Sequence, residues 1–419
     1  MARAILALCV ATLICVISSG DARAGSVTIQ EVTITGAGGV QLACSFVLPS
    51  GPTPTGGWPG IVVFPSLGVT HDAYAYDGAQ TVFAFDGFAS VSCDERGTGA
   101  STGSFDLAGA RDAQDAQAIF NWLTAQPGVS PTRIGAIGVD LGGAEVWDAA
   151  VAGVPFKAIV AGDTWSSLDR ALKPTGVLNA GLFQLLSTGG PTTWNTTPGI
   201  AARSYRKHLH SLAIPTLIVQ ARRDFRWDLS QATAAYGLLS GPKRLSVVWS
   251  PPYDDPEIEA WFKHYLARGP KIAGGVDIES ERPGHTITTF RRVPPTRPVS
   301  VNLLGPGLKR SVRLPGGPLE TFGGGSVTVR YADASWAQAV ATVSTAKGKV
   351  VTEGAAPVAH QAGVLKIQLL NEAALLRRGK KIVVTLSSHD ATFGGTAAGT
   401  IAIQRVTLRL SVLARAVSH

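Results

Sequence analysis

Charge is scarce in this chain: 16% of its residues are Asp, Glu, Lys or Arg, although the formal net charge is +8. The basic residues stand singly or in pairs, such as Arg222-Arg223 and Arg291-Arg292, without interleaved aromatics. A nucleic-acid surface needs clustered charge, so no nucleic-acid partner is expected. Beyond the N-terminal segment, no apolar run approaches the roughly 20 residues that a membrane-spanning helix requires. The glycine-rich turns carry no phosphate-loop signature. Asp254-Asp255 with Glu257 and Glu259 precede or open a helix pattern, where acids serve the helix dipole rather than a metal. No metal or cofactor is expected. Histidine is missing altogether between His210 and His264, an absence that matters below.

What is present begins with a leader. MARAILALCVATLICVISSGDARAGS has Arg3, an apolar run from Ala4 to about Ile17, and Ala22-Arg23-Ala24. That is the layout of a secretory signal over residues 1–24, cleaved near Gly25, with a short membrane anchor as the alternative. Cys9 and Cys15 would leave with it. Cys44 and Cys93 would remain, either as a disulfide formed after export or as two buried thiols.

At 419 residues the chain exceeds one ordinary core, so two domains are expected. From residue 25 to about 268, strands such as IVVFPS, ASVSC, RIGAIGV, FKAIVAGD, IPTLIVQA and RLSVVWS alternate with helical patterns. This predicts an α/β domain with a mostly parallel sheet covered on both faces. A stretch at about 165–212 interrupts the alternation where a small helical cap would sit. From 269 to 419, short alternating runs separated by Gly/Pro turns predict an antiparallel β-sandwich or jelly roll, of galactose-binding-like type. Trp336 and Tyr331 within it are either core residues or a sugar-stacking pair.

Three stretches carry a resemblance. DERGTGASTGSF at Asp94–Phe105 is similar to a D-x-R-G-x-G-x-S-x-G turn. GVDLGG at Gly138–Gly143 has the outline of a nucleophile elbow, and IPTLIVQARRDFRWDLSQA at Ile214–Ala232 is like the strand and loop that carry a catalytic acid. Together with WFKHYL at Trp261–Leu266, these resemble the X-Pro dipeptidyl-peptidase and cocaine-esterase-like (CocE/NonD, S15-type) α/β hydrolases. The resemblance implies an α/β-hydrolase domain followed by a β-sandwich, no cofactor, and a small acyl or peptide-like ligand. It places the nucleophile at Asp140, the acid at Asp224, and the oxyanion-hole amides at Leu67 and Leu141. Oligomeric state is left open.

Two of the three triad positions depart from that family. Serine-type acyl transfer needs a hydroxyl nucleophile, a histidine to take its proton and a carboxylate to orient the imidazole. Asp140 stands where serine should, and Ser250-Pro251-Pro252-Tyr253 stands where a Gly-His pair should. His264 lies inside a helix pattern, and His208 and His210 precede a strand, which leaves His71 as the remaining candidate base. An elbow aspartate can attack carbon to form an ester, but cleaving that ester again needs a histidine-activated water. Asp140 is also comfortable as a helix cap, a role worth about 1 kcal/mol. The expectation is therefore an exported hydrolase-family protein with weak or no serine-hydrolase turnover. The alternative is an active hydrolase of ester, amide or peptide bonds using Asp140 or a non-standard base.

Overall fold

In the computed structural model the chain is described over residues 27–419, apart from 77, 190–193, 250–255, 282–285, 306, 315–317, 378 and 415–419, with a short backbone strand at Thr12–Leu13. The rest of the leader and its cleavage site thus lie outside the described residues, as do His285 and His419.

The first domain is built on one sheet. Its strands are β1 (Thr28–Thr35), β2 (Gln41–Leu48), β3 (Trp58–Phe64), β4 (Ala89–Cys93), β5 (Val129–Val139), β6 (Ile159–Gly162), β7 (Thr216–Ala221), β8 (Lys243–Val248), β9 (Gly275–Glu279) and β10 (Ile287–Phe290). The spatial order runs Thr12–Leu13, β1, β2, β4, β3, β5, β6, β7, β8, β9, β10. From β4 to β9 every neighbouring pair is parallel, while β1, β2 and β10 add antiparallel edges. Strands such as Ile61–Phe64 and Thr216–Ala221 are apolar and buried without alternation because helices cover both faces of the sheet. Helices α1 (His71–Tyr76), α2 (Ala79–Phe85), α3 (Ala110–Thr124) and α4 (Leu141–Val151) connect the early strands. Between β6 and β7 lie four short helices, Leu168–Leu172, Ala180–Leu186, Thr197–Ala202 and Arg206–Leu209. Helix Pro256–Ala267 closes the far side, with Trp261 and Phe262 buried against Phe83 and Phe88.

The expected change of domain at about 268 falls two strands too early. β9 pairs parallel with β8 and β10 pairs antiparallel with β9, so the first sheet runs on to Phe290. The sandwich strands start at Thr296, and all their pairings are antiparallel. One sheet is ordered Thr296–Leu303, Ala402–Leu413, Leu319–Ala332, Gly363–Gln368, and the other Lys309–Arg313, Lys381–Ser387, Gln338–Thr345, Val350–Pro357. Tyr331 and Trp336 are buried in the apolar core between them. The sandwich also joins the first domain: Phe322, Ala373 and Leu413 belong to the same apolar cluster as the elbow helix.

Cys44 and Cys93 stand opposite each other in the antiparallel register of β2 and β4, and they form a disulfide with an S–S distance of 2.07 Å. Among the described residues, no helix is long and apolar enough to cross a membrane.

Candidate active site

The elbow sits between β5 and α4. Its geometry is that of a strand reversing directly into a helix: Asp140 has φ 61° and ψ −120°, a conformation that costs a non-glycine residue energy. The turn closes because its flanks are glycines. A Cβ on Gly138 would lie 2.2 Å from the backbone of Gly142, and one on Gly142 would lie 2.2 Å from the Phe64 carbonyl oxygen. The elbow is thus packed against the end of β3, where the loop Pro65–Val69 begins. The Ser66 hydroxyl ties that loop to the elbow strand by donating to the Val139 carbonyl at 3.0 Å.

Asp140 itself is buried and fully engaged. Its backbone amide donates to the Gly162 carbonyl at 3.1 Å, and its carbonyl accepts from Ala144 at the start of α4. Its side chain makes no cap bond to the helix, so the expected capping role is not the one observed. Instead the carboxylate accepts from the Trp227 indole at 2.7 Å and from the Leu67 backbone amide. Leu67 is one of the two amides expected to form an oxyanion hole. The other, Leu141, is the first residue of α4 and is wholly buried. Burial pushes the Asp140 carboxyl above the usual range. Arg226 and the Trp227 and Leu67 hydrogen bonds pull it back, and the charge of Asp224 pushes it up again.

Asp224 lies in the loop after β7, where the resemblance places the acid. Its Oδ1 accepts from the backbone amides of Arg226 (2.8 Å) and Trp227 (3.3 Å), and the Arg226 guanidinium lies 3.5 Å away. The carboxylate therefore shapes its own loop, and that loop delivers Trp227 to Asp140. Trp227 is held from its other side by Trp165, with ring centroids 4.8 Å apart.

His71 does not join these residues. It opens α1, and its two ring nitrogens face Asp94 Oδ1 at 2.8 Å and Glu31 Oε2 at 3.0 Å. Burial pulls its pKa down, but the bonds and charges of Asp94 and Glu31 outweigh that and leave it raised. With both nitrogens committed to carboxylates, the imidazole is held as a cation and has no lone pair to offer as a base. Among the described residues, no histidine nitrogen bonds to Asp140 or Asp224. His208 and His210 are exposed, and His264 faces the Gly269 carbonyl. The segment Ser250–Tyr253, where the family's histidine would stand, lies outside the described residues.

The structure adds acids that the sequence did not single out. Asp163, at the end of β6, accepts from the Ala221 amide at 2.5 Å and Gln220 Nε2 at 3.0 Å. Burial, with the nearby charge of Asp224, pushes it to about 8. Its place at a strand's C-terminal end was the available signal, since α/β folds bring those ends together. Behind the elbow, Glu95, Asp112, Glu145 and Asp148 are crowded together, and burial with mutual repulsion raises all four. A cavity of about 20 Å³ lies there, lined by Cys93, Glu95, Arg96, Asp112 and Glu145 among others. That is room for about one water, not for a substrate. Among the described residues, no group of three or more His, Cys, Asp or Glu is arranged to hold a metal ion.

The DERGTG turn proves to be a brace. Asp94 accepts from the His71 and Ala100 amides, and Arg96 forms a two-pronged pair with Asp115 at 2.8 Å.

With this geometry in hand, residues 38–198 match the X-Pro dipeptidyl-peptidase (S15 family) sequence profile. Over those residues the chain is similar to the S15 family. The whole architecture is also similar in fold to solved structures. A CocE/NonD family hydrolase from Staphylococcus aureus superposes with a TM-score of 0.67 at 12% identity, covering 93% of this chain and 92% of that one. An aminopeptidase from a marine-sediment Thaumarchaeota archaeon gives 0.65 at 12%, covering 93% and 97%. An α-amino acid ester hydrolase gives 0.63 at 13%, covering 94% and 97%. At these identities the likeness speaks for the fold. No curated protein sequence matches the chain. The shared fold covers the sheet, the elbow and the trailing sandwich together.

Proposed function

We propose that this protein is an exported S15-family member that holds a small acyl or peptide-like ligand near its elbow and has little or no serine-type turnover. The observation that carries this reading is the hold on Asp140. A carboxyl group occupies the nucleophile position and takes the Leu67 amide that would otherwise receive a developing oxyanion. Attack by that carboxylate on an acyl carbon would give an anhydride rather than a stable acyl-enzyme. The Cys44–Cys93 disulfide supports export, since such bonds persist in oxidising compartments.

The test compares the native chain, Asp140→Ala, and the double variant Asp140→Ser with Pro252→His on p-nitrophenyl esters and X-Pro amides. The expected result is no native turnover that depends on Asp140, with activity gained in the double variant. Native hydrolysis that vanishes in Asp140→Ala overturns the reading and favours an aspartate-based hydrolase.

A further inference from the structure

The loop that carries Asp224 and Trp227 is not held by its own domain alone. The sandwich sends the segment Asn371–Ala374 across to it. Asn371 offers its carbonyl to the Leu229 amide at 2.8 Å, and both its backbone and side-chain nitrogens donate to Asp228 Oδ2, at 3.1 and 2.9 Å. The Ala373 amide donates to the Arg222 carbonyl at 2.8 Å. Between them, the Glu372 carboxyl accepts from the Asp224 backbone amide. Glu372 is 1% exposed, and its Oε1 has no hydrogen-bond partner among the described residues. The segment is backed on its other side by the sandwich: Gly323 bridges Glu372, and Thr321 and Ala374 exchange hydrogen bonds at 2.8 Å.

We propose that Glu372 is a positioning residue of the elbow site, the centre of a clasp from the second domain that sets the loop 222–229 and, through it, the grip of Trp227 on Asp140. It touches neither the nucleophile position nor the expected ligand, and acts through the Asp224 backbone. Burial, with the charges of Asp228 and Asp224, pushes the Glu372 carboxyl well above the ordinary range, and Arg223 pulls it back. Through its C=O a carboxyl accepts an N–H as an amide does. Glutamine should therefore replace it, and alanine should not. The proposal shares with the preceding section only the location of the site, and it stands whether or not that site turns over substrate.

The test uses the full chain. Asp140→Cys places a thiol at the elbow, and its alkylation by iodoacetamide is followed against pH by mass spectrometry of the elbow peptide. Hydrogen exchange is read in parallel over residues 222–229. Glu372→Ala should raise that exchange about tenfold and move the alkylation midpoint by about one pH unit as the loop and its charges relax. Glu372→Gln should restore both. A fold defect without a positioning role would lower the melting temperature and leave the pH midpoint in place, which overturns the proposal. So does Glu372→Gln proving as damaging as Glu372→Ala. Should Glu372→Ala not fold, Asn371→Ala removes a single side-chain bond to the same loop, and unchanged exchange across 222–229 in that variant equally overturns it. Ester hydrolysis is not read, so a failure here leaves the turnover question untouched.

Discussion

The Trp227 indole donates a 2.7 Å hydrogen bond to the Asp140 carboxylate, joining the acid loop to the elbow through a side chain with a donor and no acceptor. A serine hydrolase joins its acid to its nucleophile through an imidazole, which accepts a proton. Here the link is a group that cannot accept a proton.

Removing that donor alone tests its worth. Trp227→Phe keeps most of the ring packed against Trp165 but deletes the N–H, leaving a buried carboxyl short of a partner. A hydrogen bond to a charged group contributes about 1.5–3 kcal/mol. Chemical denaturation should show a loss of about 1–3 kcal/mol. No loss would mean that the indole N–H contributes nothing to stability.

Stability should fall as pH rises. Asp112 is raised to about 7, and Asp148 and Asp163 to about 8, from an ordinary 3.8. Above about pH 4 the unfolded chain has released these protons, while the folded chain gives them up only as pH climbs through about 7 to 8. Stability then decreases with pH. His71 acts in the same direction: its raised pKa gives a contribution that is complete below about 6.5 and lost as pH climbs through the folded value. Asp94, lowered by His71 and the backbone bonds that outweigh its burial, contributes above about 3.8 and is lost only on strong acidification. The melting temperature should drop by roughly 5 °C or more from pH 5 to pH 8.5. Asp148→Asn should flatten that slope. A melting temperature that rises across the interval would contradict the folded-state proton uptake.

The disulfide closes a loop with a sequence separation of 49 residues. Chain entropy for a loop of that size gives about 4 kcal/mol, and native disulfides commonly return 2–4. Cys44→Ala with Cys93→Ala should therefore lower the unfolding free energy by about 2–4 kcal/mol. The urea midpoint measures it. Because β2 and β4 keep their ladder without the bond, the native circular dichroism spectrum should survive.

Most of the fold was legible from runs such as IVVFPS and RIGAIGV, because buried parallel strands flanked by helical patterns leave little choice of architecture. The elbow was legible for the same local reason: Gly138 and Gly142 are demanded by backbone contacts that any such turn must make. Asp224 could be placed by its position after β7. Trp227, Asp163 and Glu372 could not be paired with it, because their contacts join segments far apart in sequence. The boundary was misjudged because HTITTFRRV alternates like a sandwich strand, and its alternation is that of an exposed edge hairpin on the first sheet. His71 stands out in the sequence as the remaining candidate base, whereas the partners that fix it, Asp94 and Glu31, come from a turn and an edge strand.

Arg222 shows what the second domain means for anyone rebuilding this scaffold. Its side chain is 1% exposed and is paired with Glu320 of the sandwich. Stripping away the sandwich would remove that partner, leave Arg222 to Glu281 and the Glu279 carbonyl, and open the loop beside it. Exchanging sandwiches between relatives would transplant part of the crevice wall along with the apparent spectator. The two domains are separable in topology and indivisible as a module: a chimera has to be cut so that Glu320 and Asn371–Ala374 travel with the loop they support.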